Sequence, residues 1–413
     1  MQTLHAIVGF ASLMALAWLL SEARSRVPWR LVAGGIALAF VLAVLLLRVS
    51  WINDALGVFN RALDAMQAAT ERGTSFVFGY VGGGTPPFAV TNPPATFVLA
   101  FKALPLVLVV GALSALLYYW RILPAFVRAF SWLLEKSLGL GGAVAVSAAA
   151  NVYVGMVEAP MVIRPYLARL SRGELFVVMN VGMATLAGTV LFLYATVLTP
   201  TVPNATVHLL TASLVATPVS IAVAALMVPP EHTPAAVSLS REDPSAMAAL
   251  VRGTFEALQL LLNIVALLLV CVALVALVNA GLSLLPGFQG APITLERLFG
   301  FAFAPLAWAS GVPWHEAAAA GQLLGKKIVL NELVAYFELA SLPAETLSPR
   351  SRTLMTYALA GFANFGSLGI LLGGMSTMLP AERRAELAQL GWKSVWAGLI
   401  STCATAALVG VLV

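Results

Sequence analysis

Long apolar runs separated by short polar gaps set the architecture of this chain. The runs lie near residues 4–20, 31–48, 97–119, 175–198, 207–228, 255–279, 353–379 and 394–413. Each is close to the roughly 20 residues an α-helix needs to cross the hydrocarbon core of a bilayer. Backbone groups in lipid must be satisfied within the chain, so a spanning run is expected to be helical. Two further segments, 140–170 and 314–341, are long enough but wrong in character. The first carries Glu158-Ala159-Pro160 in mid-run; the second carries Gly325-Lys326-Lys327 and Asn331-Glu332. Pro160 lacks an N–H and disfavours helix just before it, so each segment is expected to turn or unwind near its glutamate. The pattern predicts an all-α polytopic membrane protein of about eight transmembrane helices with two re-entrant helical hairpins.

Between the spans, Tyr119 to Leu138 alternates cationic and bulky apolar residues: Trp120, Arg121, Leu123, Phe126, Arg128, Trp132, Lys136. This suits an amphipathic helix lying in the membrane interface. The polar stretch 229–247 divides the chain into two halves. The expected units are two N-terminal helices with an external connection (1–96), a scaffold helix with the interfacial helix (97–138), a first repeat (139–228), a cytoplasmic linker (229–250), a scaffold helix with an external helix (251–300) and a second repeat (301–413).

Composition supports the bilayer as solvent. Of 413 residues 60% are hydrophobic and only 10% charged, against about a quarter charged in soluble proteins. The net charge of +5 does not point to nucleic acid, because the basic residues sit singly in the polar gaps. They follow a positive-inside bias. Arg24, Arg26 and Arg30, then Arg121, Arg128 and Lys136, then Arg383, Arg384 and Lys393 fall on one side if both odd segments enter and leave by the same face. The uncharged gap 199–206 falls on the other side. Both termini are then external, and Arg350 and Arg352 are misplaced outside. The first apolar run precedes its positive charges, so it reads as a retained helix rather than a signal peptide. Cys271 and Cys403 lie within apolar runs and read as small core residues.

The order hairpin, interrupted helix, plain helix occurs twice. Gly182-Met-Ala-Thr185-Leu-Ala-Gly188 follows the first odd segment, and Gly361-Phe-Ala-Asn364-Phe-Gly-Ser367 follows the second. An alanine-rich entry, 147–150 or 317–320, precedes each glutamate. By the charge-derived orientation the hairpins enter from opposite faces. Inverted repeats with broken helices at the bilayer midplane mark secondary transporters.

Glu158 and Glu332 are the sharpest chemical features. An acidic side chain at the bilayer centre costs about 2.5–3.5 kcal/mol on insertion scales, so both are expected to be buried and to accept hydrogen bonds from a polar solute. The competing reading is an ion pair with Arg164, Lys326 or Lys327; Glu338 reads as interfacial. Asn151 and Thr185, with carbonyls freed by an unwound helix, could supply oxygens to a hard cation. Asn364 and Ser367 are the other uncharged polar residues nearby. His315-Glu316 opens like a metalloprotease motif, but position 319 is alanine where the second histidine is needed. An intramembrane enzyme using the two glutamates as acid and base would need a nucleophile or metal, and no motif for either stands out.

Several separated motifs are similar to those of the concentrative nucleoside transporter family: Ser147-Ala-Ala-Ala-Asn151-Val-Tyr-Val-Gly155, Glu158-Ala-Pro160 with Arg164-Pro165, Pro305-Leu-Ala with Gly311-Val-Pro-Trp314, Asn331-Glu332 with Val334-Ala-Tyr336, and Gly361-Phe-Ala-Asn364. The resemblance runs from about residue 100 to the C-terminus. It implies a homotrimer in the inner membrane, with a scaffold and an elevator-type transport domain, importing nucleosides by symport. It implies that Glu158 and its neighbours read the nucleobase, that Glu332 binds ribose hydroxyls with Asn364 and Ser367, and that Phe362 and Val190 line the pocket. It also implies a sodium site of Asn151, Thr185 and the carbonyls of Val154 and Leu186, with no other cofactor; proton coupling is the alternative. The family's Gly-Gln-Thr/Ser-Glu tip is here Gly155-Met156-Val157-Glu158. Loss of two polar neighbours implies a specificity shifted toward purine or modified nucleosides or a less polar solute.

Overall fold

The computed structural model describes residues 2–92, 96–231, 243–287 and 292–413. Every regular element among them is helical. Three helices open the chain: α1 (Gln2–Leu19), α2 (Trp29–Arg48) and α3 (Ser50–Phe78). A short turn α4 (Leu99–Lys102) leads into α5 (Leu106–Tyr119) and α6 (Ile122–Leu138). The first hairpin is α7 (Gly142–Asn151), α8 (Glu158–Val162) and α9 (Arg164–Leu167). An interrupted helix follows as α10 (Arg172–Ala184) and α11 (Gly188–Leu198), then α12 (Ala205–Met227). The second half begins with α13 (Ala246–Leu282) and α14 (Leu295–Ala309). Its hairpin is α15 (Trp314–Val329) and α16 (Glu332–Ser341), its interrupted helix α17 (Pro349–Leu359) and α18 (Phe365–Ser376), and its last helix α19 (Arg384–Gly410).

Seven helical stretches among the described residues are long and apolar enough to cross a bilayer. The eighth expected span, 353–379, is the pair α17 and α18, each too short to cross alone. α12 and the C-terminal part of α19 (397–410) are almost wholly buried and form the centre, with α10, α1 and α2 packed around them. α5 and α13 pair off to one side, their backbones brought close at Gly111 and Gly253. One face of α13, including Leu262, Leu269, Leu274 and Leu277, is exposed apolar surface.

Two elements differ from expectation. The external connection after α2 is largely a 29-residue helix, α3. Its polar positions interrupt the apolar run, while Leu63, Thr70 and Thr74 form a buried face, a pattern of amphipathicity rather than of spanning. The second is α19, which begins nearly three turns earlier than the hydropathy suggests, because Lys393 and Glu386 in its first turns are paired rather than lipid-facing. The stretch expected to be an amphipathic helix forms α6, set off from α5 by Arg121 at φ +66°. The linker expected at 229–250 lies mainly on 232–242, outside the described residues, and α13 is already helical from Ala246. Cys403 is fully buried.

The hairpins enter from opposite faces, and three arginines record this. Arg383, at the start of α19, donates to the carbonyls of Leu167, Ala168 and Leu170 at the end of the first hairpin. Arg352, in the first turn of α17, donates to those of Leu339, Leu342 and Pro343 at the end of the second. Arg350 ties the same turn of α17 to the carbonyls of Gly410 and Val413, at the far end of α19. The two hairpin ends therefore lie at opposite ends of one helix. The bonds also account for the two misplaced arginines: they are spent on helix C-terminal carbonyls.

At the other end of α19, Glu22 accepts from Arg172 at 2.9 and 3.0 Å and from Lys393. Arg172 also faces Glu386, which pairs with Arg383 at 2.7 Å. The knot brings together the basic gaps after α1 and before α19, as the charge pattern requires. Hydrogen bonding from Arg172, then from Lys393, holds the Glu22 carboxyl down at about 2. A depressed carboxylate stabilises the fold above its ordinary range and loses that contribution as pH falls toward its folded value. Glu22→Gln is therefore expected to lower the melting temperature in detergent at pH 7, and the gap from the parent should close as pH drops from about 4.5 toward 2. A gap that is constant over that window would rule out the ionic account.

Candidate functional site

The first hairpin meets its interrupted helix through Asn151. This residue ends α7 and is 3% exposed. Its Nδ2 donates to the Val181 carbonyl at 3.1 Å and to the Thr185 hydroxyl. Thr185 is the first residue past α10, in extended conformation and fully buried. Its Oγ1 also donates to the Val181 carbonyl, at 2.9 Å. The Gly188 N–H donates to the Tyr153 carbonyl at 3.2 Å. This bond brings the hairpin tip with Val154 against the break that contains Leu186.

The Asn151 carboxamide oxygen is buried and accepts no hydrogen bond among the described residues. A buried acceptor left alone costs roughly 1–3 kcal/mol. The same side chain reaches the Thr185 hydroxyl, which opens the unwound segment 185–187, where the Leu186 carbonyl accepts from the Ser213 hydroxyl. This set of uncharged oxygens fits a hard cation, and Asn151, Thr185, Val154 and Leu186 are the residues that would hold it.

The second hairpin presents Glu332. The Asn331 side chain caps α16 by accepting from the Val334 N–H at 3.0 Å, which sets Glu332 at the first helical position. Its carboxylate lies at the positive end of the helix dipole and is 5% exposed. The Tyr194 hydroxyl from α11 donates to Oε1 at 2.6 Å, and Asn364 Nδ2 donates to Oε2 at 2.9 Å. The Asn364 Oδ1 accepts from the Ser367 N–H at 2.7 Å, capping α18. One side chain thus holds both the half-helix and the carboxylate. Each carboxylate oxygen keeps lone pairs for further donors.

The two junctions repeat one plan. In each, a polar residue at the helix break bonds a polar residue at the hairpin: Thr185 to Asn151 and Asn364 to Glu332. The breaks also touch. Gly361 has φ +116°, and a Cβ there would lie 2.8 Å from the Met183 carbonyl oxygen and the Ala184 carbonyl carbon. Of the other expected site residues, Val190 and Ser367 are buried and Phe362 is half-buried.

Glu158 corrects an expectation. It is exposed rather than buried, and its carboxylate has no ion-pair or hydrogen-bond partner among the described residues. It folds back over Gly155, where any side chain would collide with it. The tip here spans residues 152–157, longer than the 330–331 tip of the second hairpin, and no side chain caps α8 as Asn331 caps α16. The apolar neighbours of Glu158 turn inward instead. Met156 is 7% exposed and packs on Gly182 of α10, and Val157 packs on Gly374 of α18. Neither glutamate forms a simple ion pair among the described residues. Lys326 is taken by Glu338 and Glu296, and Lys327 donates to a carbonyl and a hydroxyl. Tyr194 was not among the expected residues. A phenol in the middle of an apolar span was the available signal, since a buried Tyr hydroxyl usually finds a partner.

Known proteins resemble the chain over its whole length. Family profiles described as Na+ dependent nucleoside transporter N-terminus, nucleoside recognition, and Na+ dependent nucleoside transporter C-terminus match residues 8–81, 100–201 and 208–410. An uncharacterized transporter of Haemophilus influenzae is 36% identical over 428 residues, covering 100% of this chain and 98% of that protein. Nucleoside permease NupC of Helicobacter pylori is 32% identical over 419 residues, covering 100% and 98%. The structure of CNTnw in an inward-facing substrate-bound state superposes with a TM-score of 0.90 at 36% identity, covering 100% of this chain and 98% of that one. A CNTnw variant in an outward-facing state gives 0.89. The relatives are transporters, not enzymes. Residue motifs, helix order and whole-chain similarity converge: this chain belongs to the concentrative nucleoside transporter family.

Proposed function

We propose that the protein is a secondary active symporter that imports nucleosides across the cytoplasmic membrane, driven by a sodium gradient. The observation that carries this reading is the pairing of the two junctions. An unpartnered amide oxygen sits at one helix break and a doubly bonded carboxylate at the other, and the two breaks are in contact at Gly361 and Ala184. Glu332 would accept from the ribose hydroxyls, with Asn364 and Ser367 beside it. A sodium ion would complete the Asn151, Thr185, Val154 and Leu186 oxygens. It would fix the first hairpin against α10 and so hold Gly155, Met156, Val157 and Glu158 toward the base, with Val190 and Phe362 as apolar walls. Coupling then follows from linkage: an ion that stabilises the substrate-competent arrangement is itself bound more tightly when substrate is present. The paired helices α5 and α13 would be the scaffold against which the rest moves, and the apolar face of α13 would be shared in a homotrimer.

Uptake into proteoliposomes tests the coupling. Uphill accumulation of a labelled nucleoside is expected with an inward sodium gradient and not with potassium. Accumulation driven as well by a proton gradient alone would replace sodium by protons.

The hairpin tip adds a specificity reading. Met156 and Val157 contribute shape, not hydrogen bonds, where the family tip carries Gln and Thr or Ser. An unpaired base edge costs about 1–3 kcal/mol, which disfavours ordinary pyrimidine nucleosides relative to purine or modified ones. The double variant Met156→Gln, Val157→Thr keeps the volume against Gly182 and Gly374 and is expected to raise uridine uptake about ten-fold. Uridine uptake unchanged by the restoration would sink this reading.

A further inference from the structure

Lys327 lies in α15, one turn before the second hairpin tip, and is fully buried. Its Nζ donates to the Ala358 carbonyl at 2.9 Å and to the Thr402 hydroxyl of α19 at 3.0 Å. No carboxylate lies within ion-pair distance among the described residues, whereas the adjacent Lys326 is paired with Glu338. A buried ammonium without a salt bridge is costly, and such residues in a membrane interior are seldom incidental.

Its position has a counterpart in the first repeat. Ala358 is in the last turn of α17, as Val181 is in the last turn of α10. In both repeats a side chain from the first helix of the hairpin donates to a carbonyl at the end of the half-helix that precedes the break. In the first repeat that donor is the neutral amide of Asn151, whose own oxygen is left free for a cation. In the second it is a cation already. The negative end of the α17 dipole meets the ammonium. The Glu332 carboxylate of α16 acts on it electrostatically without touching it, and the Tyr194 hydroxyl donates to that carboxylate.

We infer that Lys327 is a positioning residue supplying, in the second repeat, a tethered positive charge at the place where the first repeat gathers oxygens for a mobile one. It offsets Glu332 and fixes the end of α17, and through the following break it sets Asn364 against the carboxylate. The second junction therefore needs no exchangeable ion, and a single cation serves the pair. This rests on the sodium reading above.

Two variants of the full-length protein separate the charge from packing: Lys327→Ala, which empties the site, and Lys327→Met, which fills it without charge. Nucleoside binding is measured in detergent against sodium concentration. The alanine variant is expected to lose affinity by about ten-fold or more at low sodium. It should recover at high sodium with a steeper, cooperative activation as a second ion enters, while the methionine variant stays weak throughout. If Lys327 only packs, methionine is the milder change and the steepness of the sodium curve is that of the parent in both; that result overturns the inference. Should the alanine variant not fold, Thr402→Val keeps the lysine but removes one acceptor. Its nucleoside affinity is expected to fall about three- to ten-fold at an unchanged sodium half-saturation, and unaltered affinity would overturn the inference. Sodium-independent binding by the parent would instead count against the proposed coupling.

Discussion

Glu332→Gln is expected to weaken nucleoside binding by about 100-fold or more, since hydrogen bonds to a charged group are worth about 1.5–3 kcal/mol each. The carboxylate is acceptor-only and receives Tyr194 on one oxygen and Asn364 on the other. A glutamine offers one acceptor and one donor, so its NH₂ must face either the Tyr194 hydroxyl or the Asn364 amide. The Asn364 amide cannot flip in response, because its oxygen caps α18 through the Ser367 N–H. The loss is therefore expected in substrate affinity, with the melting temperature changed far less. Titration calorimetry on the purified variant, beside a thermal melt, reads both. Binding within five-fold of the parent would remove Glu332 from the substrate site.

Gly361→Ala is expected to have the largest effect on the fold. The residue has φ +116°, and its Cβ would stand 2.8 Å from the Met183 carbonyl oxygen and the Ala184 carbonyl carbon. Both neighbours are backbone atoms of the other broken helix, so no side chain can swing away. Strain at such a backbone position costs roughly 1–3 kcal/mol, and overpacking adds a similar amount. The variant should yield little monodisperse protein in detergent, or melt well below the parent and lack uptake. A folded, active alanine variant would show that the two breaks are not in contact.

Much of this was legible in the sequence because membranes penalise each polar residue. The spans follow from apolar run length, and the hairpins from Glu158-Ala159-Pro160 and Asn331-Glu332. The breaks follow from Gly182 through Gly188 and Gly361 through Asn364. What stayed hidden depends on partners distant in sequence. Arg350 and Arg352 looked misplaced because their acceptors are carbonyls that no composition reveals. Tyr194 looked like one more apolar residue until Glu332 was placed 2.6 Å away. Glu158 and Glu332 looked alike, yet one is exposed and the other enclosed, since Asn331 caps α16 while the longer first tip leaves Glu158 outside. α3 was missed because its apolar face alternates with charges, so run length did not register it.

The double use of Asn364 constrains how such a pocket can diverge. A substitution there that altered the hold on Glu332 would also uncap α18, so the carboxylate's position and helix integrity change together or not at all. The first hairpin tip is under no such bond. Met156 and Val157 hold it by shape against Gly182 and Gly374, and shape can be kept by side chains of very different polarity. On the proposed assignment of base to the first tip and sugar to Glu332, new cargo would be easiest to acquire at the first tip, with the Glu332 half of the pocket left as it is.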